Sequence, residues 1–510
     1  MPRHCIFHRT TNVLLLFGLL NTAQAASDAE TTGLVAMRRE RPAIVGTGIP
    51  VAQPEGGGVD RTFEVNPGLN PSIYFTWTST LGTATNFPNL VGSESSHANG
   101  VATQFYSTDS VGVAPGVPRV DSYDAGYFIN FIITPQAGIA ARVVNQSFIN
   151  GGTESAYDAY AAKFNILFVS GMANEPGTPP PVPGSAYNGI GVGIISASAE
   201  SSIGPTADGR AKPDLVAPHI CCTSFSTPQV AGAAALLLQA AVANEGGPNT
   251  VSIATNSAVI KALLLNGAVK MTNWTNGFRR PLDARYGAGV LNMYNSDLQL
   301  RGQRHAASAT NGVALNAPHP PTGATNTVAS VRGWDFSTIT SAMMNDRVAH
   351  YYFQLPTNSA AHSATATLVW KKGAGTLTNL DLFLYEMTSN TLVTCSTSSV
   401  DNVEHLFVPK LPAGRYDLQV LLRGAAQART ESYALAFDFS PVQLTAGLGG
   451  TNVVVSWPAS PAGFTLQAAT TLTAPVTWQN IAAANSILSN AMNTVTLPAS
   501  SAQFFRLARP

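Results

Sequence analysis

Two hydrophobic periods follow one another along this chain. From about residue 41 to 300, short apolar runs alternate with segments of helical spacing. "IPVAQ", "ARVVNQSF" and "FNILFVSG" have the continuous apolar character of buried strands, while "ESAYDAYAAKF" and "NSAVIKALLLNGAV" repeat apolar side chains three and four residues apart. Strands alternating with helices predict a largely parallel sheet covered on both faces, an α/β fold. After "NAPHPPTGATN" (316–326) the period drops to two, in "SATATLVW", "LDLFLYE", "EHLFVPKL", "GRYDLQVLL" and "YALAFDFS". That pattern predicts an all-β sandwich or jelly roll with one buried face per strand.

One helical segment raises a chemical question. "CCTSFSTPQVAGAAALLLQAA" (221–241) is an Ala/Leu-rich run entered through small hydroxyl residues and a proline, and it predicts a helix over 226–241. Thr223 and Ser226 are the expected caps, since Ser and Thr satisfy free N–H groups at a helix start and proline is tolerated there. The alternative for this cluster is a nucleophile placed at a helix N-terminus.

Composition narrows the class. Of 510 residues, 45% are hydrophobic and 11% charged, with 44 Gly and 33 Pro, which suits a folded, turn-rich β-containing chain of several domains. Lys+Arg and Asp+Glu both number 28, so no charge imbalance points to nucleic acid. "MPRHCIFHRTTNVLLLFGLLNTAQA" has Arg3 and Arg9, a short apolar core from Val13 to Leu20 and Ala23-Gln24-Ala25, the pattern of a secretory signal over 1–25. Neither that core nor Val230 to Ala243, interrupted by Gln239, is long enough to span a bilayer. The mature protein is thus expected to be soluble, exported to the periplasm or medium, and monomeric. Cys221, Cys222 and Cys395 remain after the signal, too few and too unevenly placed for a disulfide framework.

The opening segment, read as "GRAKPDLVAPHICCTSFSTPQVAGAAALL", resembles the nucleophile region of subtilisin-like serine proteases (subtilases), Gly-Thr-Ser-x-Ala-x-Pro-x-Val-Ala-Gly after a "KPD" strand. Pro228, Val230, Ala231 and Gly232 match, with Cys222 in place of Gly and Ser226 in place of Ala. Upstream, "SESSHANGVATQFYSTDSVGVAPGV" resembles the histidine block, placing His97 on the catalytic His. "ARVVNQSF" resembles the substrate-binding strand, and "ILFVSGMANEPG" the strand that ends in the oxyanion Asn, here Asn174. In "VGTGIPVAQPEGGGVD" the register puts Glu55 where subtilases have Asp; Asp60 is the competing carboxylate. The resemblance implies a subtilisin-like fold over 26–305 and acyl transfer on protein or peptide substrates. Ser224 would be the nucleophile, His97 the general base, Glu55 its orienting carboxylate, and Asn174 with the Ser224 N–H the oxyanion hole.

Other departures are Ala173 before Asn174 and only "HICC" between "VAP" and Thr223. Residues 26–43 are too few for the folding propeptide usual in the family. Residues 306–440 resemble the P-like or pre-peptidase C-terminal jelly rolls of secreted bacterial proteases. Residues 441–510 have the size and spacing of a small fibronectin- or immunoglobulin-like module, with Trp457 and Trp478 expected in its core. No cofactor is expected to be required. Structural Ca2+ is the one candidate, on Asp381, Asp401 and Glu404, whose hard oxygens suit it; strand-end and turn partners are the other role for these residues.

Overall fold

The computed structural model describes residues 28–271, 273–313, 327–356, 362–441, 444–458, 464–481, 486–489, 492–498 and 504–508; the signal expected over 1–25 lies outside them. The first half is built on eight strands: β1 (Val51–Glu55), β2 (Tyr74–Ser79), β3 (Gly82–Ala84), β4 (Arg119–Asp124), β5 (Val143–Gln146), β6 (Leu167–Gly171), β7 (Ile190–Ile195) and β8 (Leu215–Pro218). Their order is β8-β7-β6-β5-β1-β4-β2-β3, parallel throughout except for the β2–β3 hairpin.

Alternation along each strand feeds two apolar layers. Val51, Val143 and Val169 face a cluster shared with α1 (Ser96–Phe105), α3 (Thr223–Val242), α4 (Ser257–Gly267) and α5 (Met293–Arg301). Ala52, Val144 and Phe168 face Tyr157 and Tyr160 of α2 (Glu154–Phe164). Helix α3 begins at Thr223 and runs 20 residues, longer than its apolar pattern predicts. It is the one helix among the described residues long and apolar enough to cross a membrane, yet 83% of that stretch is buried inside the protein. Its surroundings, rather than its length, identify it as a core helix.

The second half is antiparallel. A five-stranded sheet (Ala309–Val313, Asp346–Leu355, Gly414–Leu422, Leu380–Glu386, Thr391–Ser396) faces a four-stranded one (Arg332–Ser341, Arg429–Asp438, His362–Trp370, Val403–Leu411) across a core that includes Tyr351, Phe353, Leu368, Leu418 and Leu435. The period-two pattern predicted a solvated outer face for each sheet. Instead, every residue of His362–Trp370 is buried, because the outer face of the four-stranded sheet covers α4 and α5. Trp334, Val369, Val403, Ala434 and Ala436 belong to the same apolar cluster as β1 and α3. Asn266 of α4 accepts hydrogen bonds from Thr365 and Thr367, both at 3.0 Å, and Trp334 Nε1 donates to the Leu300 carbonyl at 3.1 Å.

The three candidate calcium ligands have protein partners. Asp381 pairs with Arg423 at 2.5 Å; Asp401 accepts from the Ala211 N–H at 2.8 Å and Ser398 Oγ at 2.7 Å; Glu404 accepts from the Ser398 N–H at 2.6 Å and from Ser396. Among the described residues, no group of three or more His, Cys, Asp or Glu is arranged to hold a metal. In the C-terminal segment, Val455, Trp457, Leu466 and Val495 form a small core. Trp478 is not in it: the ring is half-buried, with the Arg506 guanidinium 4.3 Å from its centroid.

Candidate active site

The carboxyl ends of β1, β5 and β6 converge on the first turns of α1 and α3, the usual place for a site in a parallel sheet. Glu55 ends β1, Ser147 follows β5 and Asn174 lies just past β6, while α1 supplies His97 and α3 supplies Ser224. Ser147 Oγ donates to the Ser224 carbonyl at 2.8 Å, fixing the first turn of α3 against β5. The Phe225 ring lies 5.8 Å from that of His97 and 5.0 Å from that of His219, so α1 and α3 meet at the site. Two glycines permit this approach. A Cβ on Gly100 would lie 2.6 Å from Phe225 Cε1, and one on Gly232 would lie 2.5 Å from Val113 Cβ.

The carboxylate is built for its length. Glu55 is 1% exposed, and its Oε2 lies 2.8 Å from His97 Nδ1. Oε1 accepts from Gln53 Nε2 at 2.9 Å; that amide also donates to the Ala98 carbonyl at 3.0 Å, and its oxygen accepts from the buried Tyr106 hydroxyl at 2.6 Å. Residues 53 and 55 share a strand face because side chains alternate. The result is a chain, Tyr106–Gln53–Glu55–His97, buried as far as Glu55 and ending on the exposed His97 ring, that holds both carboxylate oxygens. The hydrogen bond that His97 Nδ1–H donates to Glu55 stabilises the imidazolium and raises the His97 pKa, against an opposing effect of burial. Asp60, the competing carboxylate, is exposed in the turn after β1. Gln53 and Tyr106 lie inside the quoted blocks without matching a family residue, but a glutamine within a buried central strand requires a partner, and that requirement is the signal pointing to the chain.

Asn174 is also oriented. Its Oδ1 accepts from the Thr223 N–H at 2.9 Å and lies 2.8 Å from Thr223 Oγ1, which also contacts the Met172 carbonyl. Asn174 is exposed, and with Oδ1 engaged by Thr223 its Nδ2 is the remaining side-chain donor. This corrects the capping expected of Thr223 and Ser226. Cys222 occupies the N-cap position without a side-chain cap hydrogen bond, Thr223 is engaged by Asn174, and buried Ser226 Oγ has no hydrogen-bond partner among the described residues.

Cys222 is half-buried beside the exposed Cys221. Burial, with the neighbouring Cys221 thiol, pushes its thiol up to about 12, while the hydroxyl and N–H of Ser224 act in the opposite direction. Among the described residues, Ser224 makes no hydrogen bond to His97, whose ring bonds Glu55 through Nδ1. His219, on the other side of Phe225, is held near 4 by burial and is therefore neutral at neutral pH.

Residues 82–289 match the sequence model of the Subtilase family, Peptidase S8. The matched span contains His97, Asn174 and Ser224 and begins after Glu55. No curated protein matches the chain. Among solved structures, the prenylagaramide maturation protease PagA is similar at 20% identity, covering 52% of this chain and 98% of its own, with a TM-score of 0.38. The PatG macrocyclase domain is similar at 16% identity, covering 54% and 98%, with a TM-score of 0.40. Tripeptidyl peptidase 2 is similar at 13% identity, covering 74% and 43%, with a TM-score of 0.32.

Proposed function

This chain carries a subtilase-family serine protease domain over residues 82–289, in a subtilisin-like α/β fold followed by antiparallel sheets, and from that premise we propose that it is an exported endopeptidase. Ser224 Oγ attacks the carbonyl carbon of an internal peptide bond. His97 Nε2 takes the hydroxyl proton and delivers it to the leaving amine, and water then repeats the sequence to release the acyl group. Glu55 holds Nδ1–H and stabilises the imidazolium formed in each half. The Asn174 amide and the Ser224 N–H face the developing oxyanion, each donor contributing about 3 to 4 kcal/mol, and the positive end of α3 adds to them. Export is the reading of the signal-like residues 1–25.

The observation that carries this proposal is the 2.8 Å contact between Glu55 and His97, built on two elements that no local motif joins. One observation favours a second reading. Cys222 stands two residues before Ser224 where subtilases carry Gly, and a side chain at that place fits a binding or scaffold protein that keeps the fold without turnover. Labelling with a fluorophosphonate probe separates the two. The wild type should label and cut unfolded protein at internal bonds, and Ser224→Ala should do neither. Labelling that survives Ser224→Ala overturns the nucleophile assignment, while a wild type that neither labels nor cuts supports the scaffold reading.

A further inference from the structure

The sulfur atoms of Cys221 and Cys222 lie 3.0 Å apart at the entrance to α3, immediately before Thr223. Both are free thiols; Cys221 is exposed and Cys222 half-buried. We propose that this vicinal pair is a thiol–disulfide modification site, closed by low-molecular-weight disulfides, and that closure withdraws Ser224 from reaction. The effect on Ser224 rests on the function proposed above, whereas the site itself does not.

The exchange is balanced within the pair and its partner. The accessible Cys221 thiolate attacks one sulfur of a disulfide RSSR and expels one RS–, leaving a mixed disulfide. Cys222, on losing its proton, attacks the Cys221 sulfur and expels the second RS–. Two protein thiols are oxidised to one disulfide, RSSR is reduced to two RSH, and the two thiol protons pass to the departing thiolates. The half-buried Cys222 holds its proton more tightly than an ordinary thiol, so the second step is the slower one.

The bond would be easily reopened. Ordinary disulfides join Cα atoms about 4.4 to 6.8 Å apart, but consecutive residues are only about 3.8 Å apart across a trans peptide. A ring closed over one peptide bond is therefore strained and readily reduced, the property of switchable rather than structural bonds. Closing it also requires the sulfurs to approach by about 1 Å. Cys222 has an extended backbone that leads directly into Thr223, and the Thr223 N–H holds Asn174. Turning Cys222 toward Cys221 shifts Thr223, whose N–H holds Asn174, and with it the adjacent N–H of Ser224, so both oxyanion donors lose alignment. A misplacement of about 1 Å at such a site costs roughly 100-fold in rate.

The test uses the full chain, equilibrated in glutathione buffers of graded GSSG/GSH ratio, read by intact mass, peptide mapping and fluorophosphonate labelling of the same samples. The expected result is loss of two hydrogens in mass, mapped to the peptide with Cys221 and Cys222, with labelling slowed by about ten-fold or more and restored by dithiothreitol. Cys221→Ser should label at the reduced wild-type rate at every ratio. Cys395, on a separate strand of the sandwich, reports background glutathionylation. A persistent glutathione adduct without loss of two hydrogens overturns the proposal, as does ring closure that leaves labelling unchanged or speeds it. If reduced wild type fails to label, the endopeptidase reading fails, while the mass change still decides whether the pair is a modification site.

Discussion

Glu55→Asp replaces this chain's carboxylate with the residue subtilases carry at that position, and it should impair the enzyme. Removing one methylene retracts the carboxylate by about 1.5 Å. The 2.8 Å contact with His97 and the 2.9 Å contact with Gln53 would both open to about 4 Å, past the reach of a hydrogen bond. A charge-assisted hydrogen bond of this kind contributes about 1.5 to 3 kcal/mol, which corresponds to roughly a 10- to 100-fold loss in kcat/KM. The ceiling is about 10⁴-fold, the cost of losing the orienting group's function altogether. The same hydrogen bond raises the His97 pKa, so the acid limb of activity should move to lower pH. The assay is kcat/KM on an internally cleaved peptide between about pH 5 and 9, with thermal unfolding run alongside to exclude misfolding. Wild-type activity with an unmoved acid limb would refute the argument, and loss of activity in Asp60→Asn would transfer the role to the exposed turn.

Three further outcomes follow from the same geometry. In the wild type, His97 serves as a base only when neutral, and its pKa is raised, so kcat/KM should fall with decreasing pH at a midpoint above the ordinary imidazole value of about 6.5; Glu55→Gln should lower that midpoint along with the rate. Gln53→Leu strands the buried Tyr106 hydroxyl and frees one oxygen of Glu55, so stability measured in denaturant should drop by about 1 to 3 kcal/mol and kcat by roughly ten-fold, with KM nearly unchanged. Asn266→Ala deprives the buried Thr365 hydroxyl of its acceptor and removes one of the two partners of Thr367, which keeps His405, at a cost of about 1 to 3 kcal/mol. Calorimetry should still show the peptidase and sandwich melting together, and two resolved transitions would contradict their shared core.

What was legible in the sequence depended on pattern length. The strand "ARVVNQSF", the strand "FNILFVSG" and the helix "ESAYDAYAAKF" repeat their period over enough residues to specify β5, β6 and α2. Glu55 emerged from the register of β1 rather than from its residue type, and the structure places it beside His97. Tyr106 is legible only through contact: it lies on a different element from Gln53, and nothing local joins them. The fate of Thr223 was obscured because capping and bonding to Asn174 require the same hydroxyl at the same helix end. The buried outer face of the four-stranded sheet was obscured for a related reason. Thr365, Thr367 and His405 look like solvent-facing positions, and their burial depends on Asn266 and its neighbours on α4, far away in the sequence.

The shared core also sets an order of events. Trp334, Val369, Val403, Ala434 and Ala436 complete the apolar layer under α4 and α5, and a ribosome makes all of them after Glu55, His97, Asn174 and Ser224. A nascent chain can therefore hold every residue of the site while lacking the surface that keeps the site's scaffold folded, since domains settle as units once their contacts exist. The sandwich thus works as a clock. The apolar layer is complete only once strand Arg429–Asp438 has closed its sheet, and a chain interrupted before that point leaves α4 and α5 without their apolar cover.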